Sequence, residues 1–253
     1  MDMNRSLLLL ILVVTASIPA VASARDTELI GDRPDFTESA ATIAPGRVQI
    51  EAGVTGTDAG GADVLEAGEI LARIGLDART ELRVGLGSWV RIEDGATDLD
   101  GLDDLELGFK RHLLAGEGAT PELALIVATT LPTGGADIGA DDLQPLAVLA
   151  GEWTLSERVG LGTNLGWTRA HDGERFSSLW VSAAFGIALG ERAGLFLEGF
   201  AFDKEASGGD AAGYGDAGLT YLIAPDLQLD VRVGTGFDGG SDDFVGAGLV
   251  LRI

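Results

Sequence analysis

Residues 80–92, TELRVGLGSWVRI, alternate between two kinds of side chain with a period of two. One face carries Leu82, Val84, Leu86, Val90 and Ile92, and the opposite face carries charge, glycine and Trp89. Successive side chains of a β-strand point to opposite sides, so this pattern predicts a strand with one apolar and one polar face. Residues 227–237 and 244–253 repeat it, and helical periodicity is scarce, so we expect an all-β chain.

About twelve such strands can be placed along the chain, with short and long connections in alternation. Short turns follow the even-numbered strands, and longer Gly/Asp-rich loops follow the odd ones, as at 57–65, 93–101, 132–142 and 203–210. This asymmetry is typical of outer-membrane barrels. The predicted strands span 47–56, 67–75, 80–92, 102–114, 121–131, 143–155, 158–168, 177–189, 193–202, 211–223, 227–237 and 244–253.

The composition narrows the class of protein. The 253 residues carry 17 Lys+Arg against 40 Asp+Glu, a net charge of −23, and this charge disfavours nucleic acid as a partner. Cysteine is absent, which excludes disulfides and thiolate sites. Yet 46% of residues are hydrophobic. A transmembrane antiparallel up-and-down β-barrel of about twelve strands, with short periplasmic turns and longer extracellular loops, accounts for both numbers.

A secreted soluble sandwich or a lipocalin-like barrel would show the same alternation, with the apolar face as its core. The turn asymmetry and the many glycines on the polar face favour the membrane barrel.

The N-terminus predicts export. Arg5 precedes an apolar run at 7–14, and Ala22-Ser23-Ala24 fits a small-x-small cleavage site. We therefore expect residues 1–24 to be a cleaved signal peptide, 25–46 to be an N-terminal periplasmic or lumen segment, and 47–253 to form the outer-membrane barrel.

Charges on the polar face should point into the barrel, because a lipid-facing arginine costs about 2–4 kcal/mol at the membrane midplane. They form either a structural network that fills a narrow barrel or a constriction for solutes. The N-terminal segment is expected to dock in the barrel mouth, where Arg33, Asp35 and Glu38 pair with these charges and Phe36 fills apolar space. The lumen candidates are Glu51, Arg73, Glu81, Arg83, Arg91, Glu106, Lys110, His112, Asp230, Arg232 and Arg252.

A family resemblance is carried by GDRPDFTES at 31–39, followed by APG at 44–46 and QIEAG at 49–53. Weaker matches include LPTG at 131–134 and NLG at 164–166. Together they resemble the outer-membrane transporters grouped as the MetA-pathway of phenol degradation family. The resemblance implies a barrel and a transport role, with some members tied to aromatic compounds, but no particular substrate. One departure is the last residue, Ile253, where many outer-membrane barrels end in an aromatic residue.

Three motifs suggest other chemistry. Gly234, Gly236 and Gly239 fit G-x-G-x-x-G, but an acidic loop and a strand follow instead of the helix that a dinucleotide needs. The acidic loop at 93–104 lacks the spacing of a calcium-binding EF-hand. His112 and His171 have no evident serine partner and orienting group for a barrel lipase. We therefore expect no enzyme, no cofactor and no metal site.

The expected function is an outer-membrane channel for passive passage of small, hydrophobic or aromatic solutes. The alternative is a structural or surface-interaction barrel whose acidic loops bind cations, and a lipid-modifying enzyme ranks lower. The expected partners are outer-membrane lipid and lipopolysaccharide, a small-molecule solute and the barrel-assembly machinery.

Overall fold

The computed structural model describes residues 28–237 and 242–253, so the expected signal peptide at 1–24 lies outside the described residues. Fourteen strands are present in this part of the chain: β1 Val48–Ala59, β2 Asp63–Asp77, β3 Thr80–Gly85, β4 Trp89–Glu93, β5 Asp98–Leu102, β6 Leu105–Leu114, β7 Glu122–Leu131, β8 Gln144–Thr154, β9 Val159–His171, β10 Arg175–Ala188, β11 Ala193–Phe202, β12 Ala212–Ala224, β13 Leu227–Gly236 and β14 Asp242–Arg252. None of the described residues forms a helix long and apolar enough to cross a membrane.

Twelve of the strands close into one antiparallel up-and-down barrel. Each pairs with its neighbours in chain order, and β1 pairs with both β2 and β14, which closes the ring. The predicted fold class is therefore confirmed, with β4 and β5 as two extra strands.

The first and last residues of the barrel lie side by side at the same rim. Val48 and Ile253 exchange backbone hydrogen bonds of 3.0 and 2.8 Å. The connections after β2, β6, β8, β10 and β12 lie at this rim, at 78–79, 115–121, 155–158, 189–192 and 225–226. We call it the termini rim and the other end the far rim.

Two predicted strands are interrupted. The prediction at 80–92 is split into β3 and β4 by residues 86–88, where Gly87 has a φ of 68°. Both pieces pair with β2, one beyond the other, so they follow the same line along the barrel wall. In the region at 93–101, predicted as a loop, residue 93 ends β4, residues 98–101 belong to β5, and only 94–97 connect the β4–β5 hairpin.

Some far-rim loops are also shorter than predicted. β1 and β2 continue to Ala59 and Asp63, so the expected loop at 57–65 shrinks to 60–62. His171, expected in a loop, is the last residue of β9. The alternating pattern of the sequence is weak at these strand ends, but the cross-strand hydrogen bonds continue beyond the last residues that alternate.

The barrel is apolar outside and polar inside. Large outward side chains such as Leu165, Val181 and Val231 are 50–54% exposed. Arg73 and Lys110 are among the largest fully buried side chains. A soluble barrel would have the opposite arrangement, so the distribution suits a hydrocarbon surrounding.

The two strands that alternate poorly in sequence, β7 and β8, have a physical reason for it. Their inward positions carry Ala124, Ile126, Val148 and Ala150, all at most 3% exposed. Both faces of these strands are therefore apolar, and Ile126, Val148 and Trp180 form a buried cluster inside the barrel.

Candidate functional site

The residues that precede the barrel, 28–46, form a re-entrant segment inside it. At its start the Glu28 carbonyl accepts a 2.7 Å hydrogen bond from Arg252, and at its end the Gly46 N–H donates to the Gly75 carbonyl at 2.9 Å. Both anchors lie at the termini rim. Between them the segment contacts inward side chains from opposite parts of the wall, on β1–β3 and β6 as well as on β9–β11. We call it the inner segment.

Asp32 is the centre of a buried ionic cluster. Its carboxylate lies 3.0 Å from Arg73, 2.6 Å from Arg83 and 2.8 Å from Lys110. The Ser39 backbone N–H and hydroxyl also donate to it, which closes the bend between residues 32 and 39. Burial alone would raise the pKa of Asp32, but Arg73, Lys110 and Arg83 hold it well below the usual value.

Three further carboxylates complete this ionic cluster. Glu81 accepts a 2.9 Å hydrogen bond from Arg73, and Glu51 accepts one of 3.1 Å. Glu51 also accepts the Asp32 backbone N–H at 3.0 Å, and Glu81 accepts the Ile43 N–H at 2.9 Å. Glu38 of the inner segment is the fourth carboxylate, since it accepts a 2.7 Å hydrogen bond from Arg83 and lies 3.5 Å from Lys110. Four carboxylates thus face three cations, which offsets the large cost of burying each cation alone.

A second group of contacts holds the inner segment to the opposite wall of the barrel. Glu198 accepts the Phe36 N–H at 2.7 Å and also the Thr37 hydroxyl, and that hydroxyl lies 2.7 Å from the Ser182 oxygen. The Asn164 side chain accepts the Glu38 N–H at 2.7 Å and donates to the Glu38 carbonyl at 2.9 Å. Polar inward positions on β9, β10 and β11 therefore hold the backbone of residues 36–38.

Phe36 inserts its ring among inward aromatic side chains of the wall. Its ring centroid lies 4.5 Å from Phe200 in a stacked geometry, 4.8 Å from Trp180 edge-on and 5.6 Å from Phe202. Tyr214 stacks on the far side of Phe200 at 5.0 Å. We call Trp180, Phe200, Phe202 and Tyr214 the aromatic cage.

Arg33 contacts the remaining inward charges. It forms an ion pair with Glu69 and lies 3.4 Å from Asp230. Arg232 donates to the Pro34 carbonyl at 3.1 Å and to Thr55 at 3.1 Å. The inner segment thus has charged contacts on β13 as well.

The other predicted site residues lie outside the ionic cluster around Asp32. Arg91 is exposed on β4, beside Glu93 and Asp98. His112 lies 3.2 Å from Glu122, and Arg252 pairs with Asp226 at 2.7 Å on the termini rim. Glu106 is partly buried on β6. In the acidic loop, the Asp94 side chain stabilises the local turn, because it accepts hydrogen bonds from the backbone N–H groups of residues 96 and 97.

Sequence reasoning missed Asp32, Asn164, Ser182, Glu198 and Asp216, all buried. Four of them occupy the inward register of β9, β10, β11 and β12. The alternation alone could have identified those four, because each is a polar residue at a position that faces inward. Among the described residues, no group of three or more His, Asp or Glu side chains could hold a metal ion.

A cavity of about 550 Å³ lies between the inner segment and the termini-rim ends of β7–β10. Asp35, Thr37 and Glu38 form its inner side, and Glu117 and Glu157 come from the short turns. Its described lining includes seven carboxylate residues and one arginine, Arg158, so its field favours cations and neutral molecules over anions.

Known proteins resemble the chain in sequence and in fold. The model of a family described as "Putative MetA-pathway of phenol degradation" matches residues 31–253. A COG4313 outer membrane channel from Pseudomonas putida F1 is 17% identical, with a TM-score of 0.62 over 88% of this chain and 100% of that one. The NanC porin is 8% identical, with a TM-score of 0.60 over 81% and 100% of the two chains. The KdgM porin, solved with disordered oligogalacturonate, is 10% identical, with a TM-score of 0.52 over 80% and 98%. A search of curated protein sequences gave no match.

Proposed function

Because the chain belongs to the MetA-pathway of phenol degradation family, we propose that it is an outer-membrane channel for passive passage of small, hydrophobic or aromatic solutes. Its fold is that of porins and of an outer membrane channel. The observation that carries the proposal is the inner segment, a charged strip of chain held inside a barrel whose outer face is apolar.

The apolar outer face of the barrel supports a membrane location. Exposed leucine, valine and phenylalanine side chains cover the outside, and water would not favour so many of them. Lipid, by contrast, requires an apolar surface and a closed sheet without free edges. Export would use the signal peptide at 1–24, and mass spectrometry of the membrane form should then find a mature N-terminus at Arg25.

In this proposal the inner segment is the constriction. It occupies the interior between the wall that carries Lys110 and the wall that carries Glu198, so a solute must pass beside it. The acidic cavity at the termini rim would be the exit. Anionic solutes are disfavoured there, whereas neutral aromatic solutes meet no charge penalty.

The test compares the full-length barrel with a deletion of residues 31–39 in planar bilayers and in liposome-swelling assays. We expect the deletion to raise conductance and to admit larger solutes, because it removes Asp32 and residues 36–38, which hold the constriction to the two opposite walls. Heat-modifiable migration in gels checks that the variant still folds. A folded deletion variant with unchanged conductance and size cutoff would show that the segment is only a tether.

A further inference from the structure

Phe36 lies in its cage as a ligand lies in a binding site. Three rings of the wall surround it with centroid distances of 4.5–5.6 Å, in the stacked and edge-on geometries that aromatic pairs prefer. Phe36, Phe200 and Tyr214 remain partly exposed, so the cage is not sealed. β11 ends at Phe202 and β12 begins at Ala212, which places the cage in the far-rim half of the barrel.

A hydrogen-bond acceptor lies directly beside this aromatic pocket. Glu198 takes two donors from the inner segment, the Phe36 N–H and the Thr37 hydroxyl. If the segment moves away, the buried carboxylate loses both donors. Leaving a buried acceptor unsatisfied is costly, so whatever replaces Phe36 must bring a donor as well as a ring.

The surrounding charge selects against anions. Asp216 lies opposite Glu198 in the register of β11 and β12 and is 8% exposed. Asp35 on the inner segment adds a third carboxylate, and burial, followed by the charge of Glu198, raises the pKa of Asp35 well above its usual value. Docking of residues 35–37 therefore carries the free-energy cost of burying Asp35 beside Glu198, and a ligand that displaces these residues relieves that cost.

We propose that the aromatic cage and Glu198 form a binding site for solutes with an aromatic ring and a hydrogen-bond donor, and that Phe36 occupies this site until such a solute displaces it. The ring takes the place of the Phe36 side chain, and the donor, a hydroxyl or an ammonium group, takes the place of the Phe36 N–H on Glu198. This inference rests on the proposed channel function and names the class of solute. Binding then loosens residues 35–37 at the constriction.

The experiment measures binding directly, without conductance. Purified full-length mature barrel in detergent is titrated into 4-fluorophenol, 4-fluoroanisole or 4-fluorobenzoate, and ¹⁹F line broadening reports the bound fraction. We expect 4-fluorophenol to bind at least tenfold more tightly than 4-fluoroanisole, which lacks the donor, and 4-fluorobenzoate not to bind.

Removing the Phe36 ring should leave the aromatic cage free for a solute. Phe36→Ala should bind 4-fluorophenol at least tenfold more tightly than the unmodified chain, because no ring has to be displaced. Phe185→Ala, which removes an outward ring from β10, the strand that also carries Trp180, should leave binding unchanged. Glu198→Gln should reduce the preference for 4-fluorophenol over 4-fluoroanisole, and Phe36→Leu serves as a milder change if the alanine variant does not fold.

Two results would overturn the site: equal affinity for 4-fluorophenol with and without the Phe36 ring, or 4-fluorobenzoate binding as tightly as 4-fluorophenol. Either would leave the channel proposal intact if conductance is present. Selective binding in a barrel that conducts nothing would instead refute the channel and keep the site.

Discussion

Replacing Asp32 by asparagine removes one negative charge from between three buried cations while it keeps the size of the side chain. The lost partners are Arg73 at 3.0 Å, Arg83 at 2.6 Å and Lys110 at 2.8 Å. Breaking a buried ion pair from one side costs about 3–5 kcal/mol, because the remaining charge is left uncompensated. Since 1.4 kcal/mol is a factor of ten, the undocked population of the inner segment should rise about 100- to 4,000-fold.

A single cysteine can report this undocking, because the chain has none of its own. Ala40 lies on the inner segment and is fully buried, so a thiol introduced by Ala40→Cys is protected while the segment is docked. We expect Asp32→Asn in this background to raise the rate of maleimide modification at least tenfold and to increase the mean single-channel conductance. Asp58→Asn, an equal charge change at an exposed site on the far rim, is the matched control.

A folded Asp32→Asn barrel with maleimide rates and conductance within twofold of its control would refute this reasoning. The inner segment would then be held by the aromatic cage and Glu198, and the Asp32 cluster would stabilise the wall alone.

Three further predictions test the fold around the site. Gly75→Ala would place its Cβ 1.9 Å from a backbone carbonyl oxygen of the inner segment, so we expect it to lower unfolding stability by about 1–3 kcal/mol in urea titrations, whereas Gly186→Ala has open space and should be neutral. Leu165→Arg on the outer face should cost about 2–4 kcal/mol in lipid vesicles, and Gly186→Arg, which points into the cavity, much less. In intact cells, an impermeant biotin reagent should label a cysteine at Ala96 on the far rim but not one at Glu157 on the termini rim; the reverse pattern would invert the topology.

How far the candidate site could be predicted depends on the kind of information each residue carries. Glu51, Arg73, Glu81, Arg83 and Lys110 were chosen because a charge on a membrane strand must face inward, and the structure brings all five around one centre. Arg91 met the same criterion, but the interruption at 86–88 leaves it on an exposed hairpin. The alternation in the sequence does not reveal this break. It is seen only in the separate pairing of β3 and β4 with β2.

The inner segment shows the same division. Arg33, Asp35 and Glu38 were all expected to pair with inward charges. In the structure Arg33 and Glu38 lie beside such charges, whereas Asp35 lines the cavity and Asp32 holds the central position. Several charged residues lie within seven positions, and the bend closed by Ser39 decides which of them meets the cations. The sequence of residues 32–39 does not predict which carboxylate meets the cations, because those cations lie on side chains 40–80 residues away in the chain.

By itself, the sequence determined the class of fold, the number of barrel strands and the side on which the charges of the barrel strands lie, Arg91 excepted. These properties follow from a period of two and from the cost of placing charge in lipid, and both act residue by residue. Only the tertiary structure decided which carboxylate meets which cation, which aromatic ring fills the cage, and why β7 and β8 lack alternation. Those features depend on the inner segment lying against both walls at once, and long-range packing of that kind leaves no periodic trace in the chain.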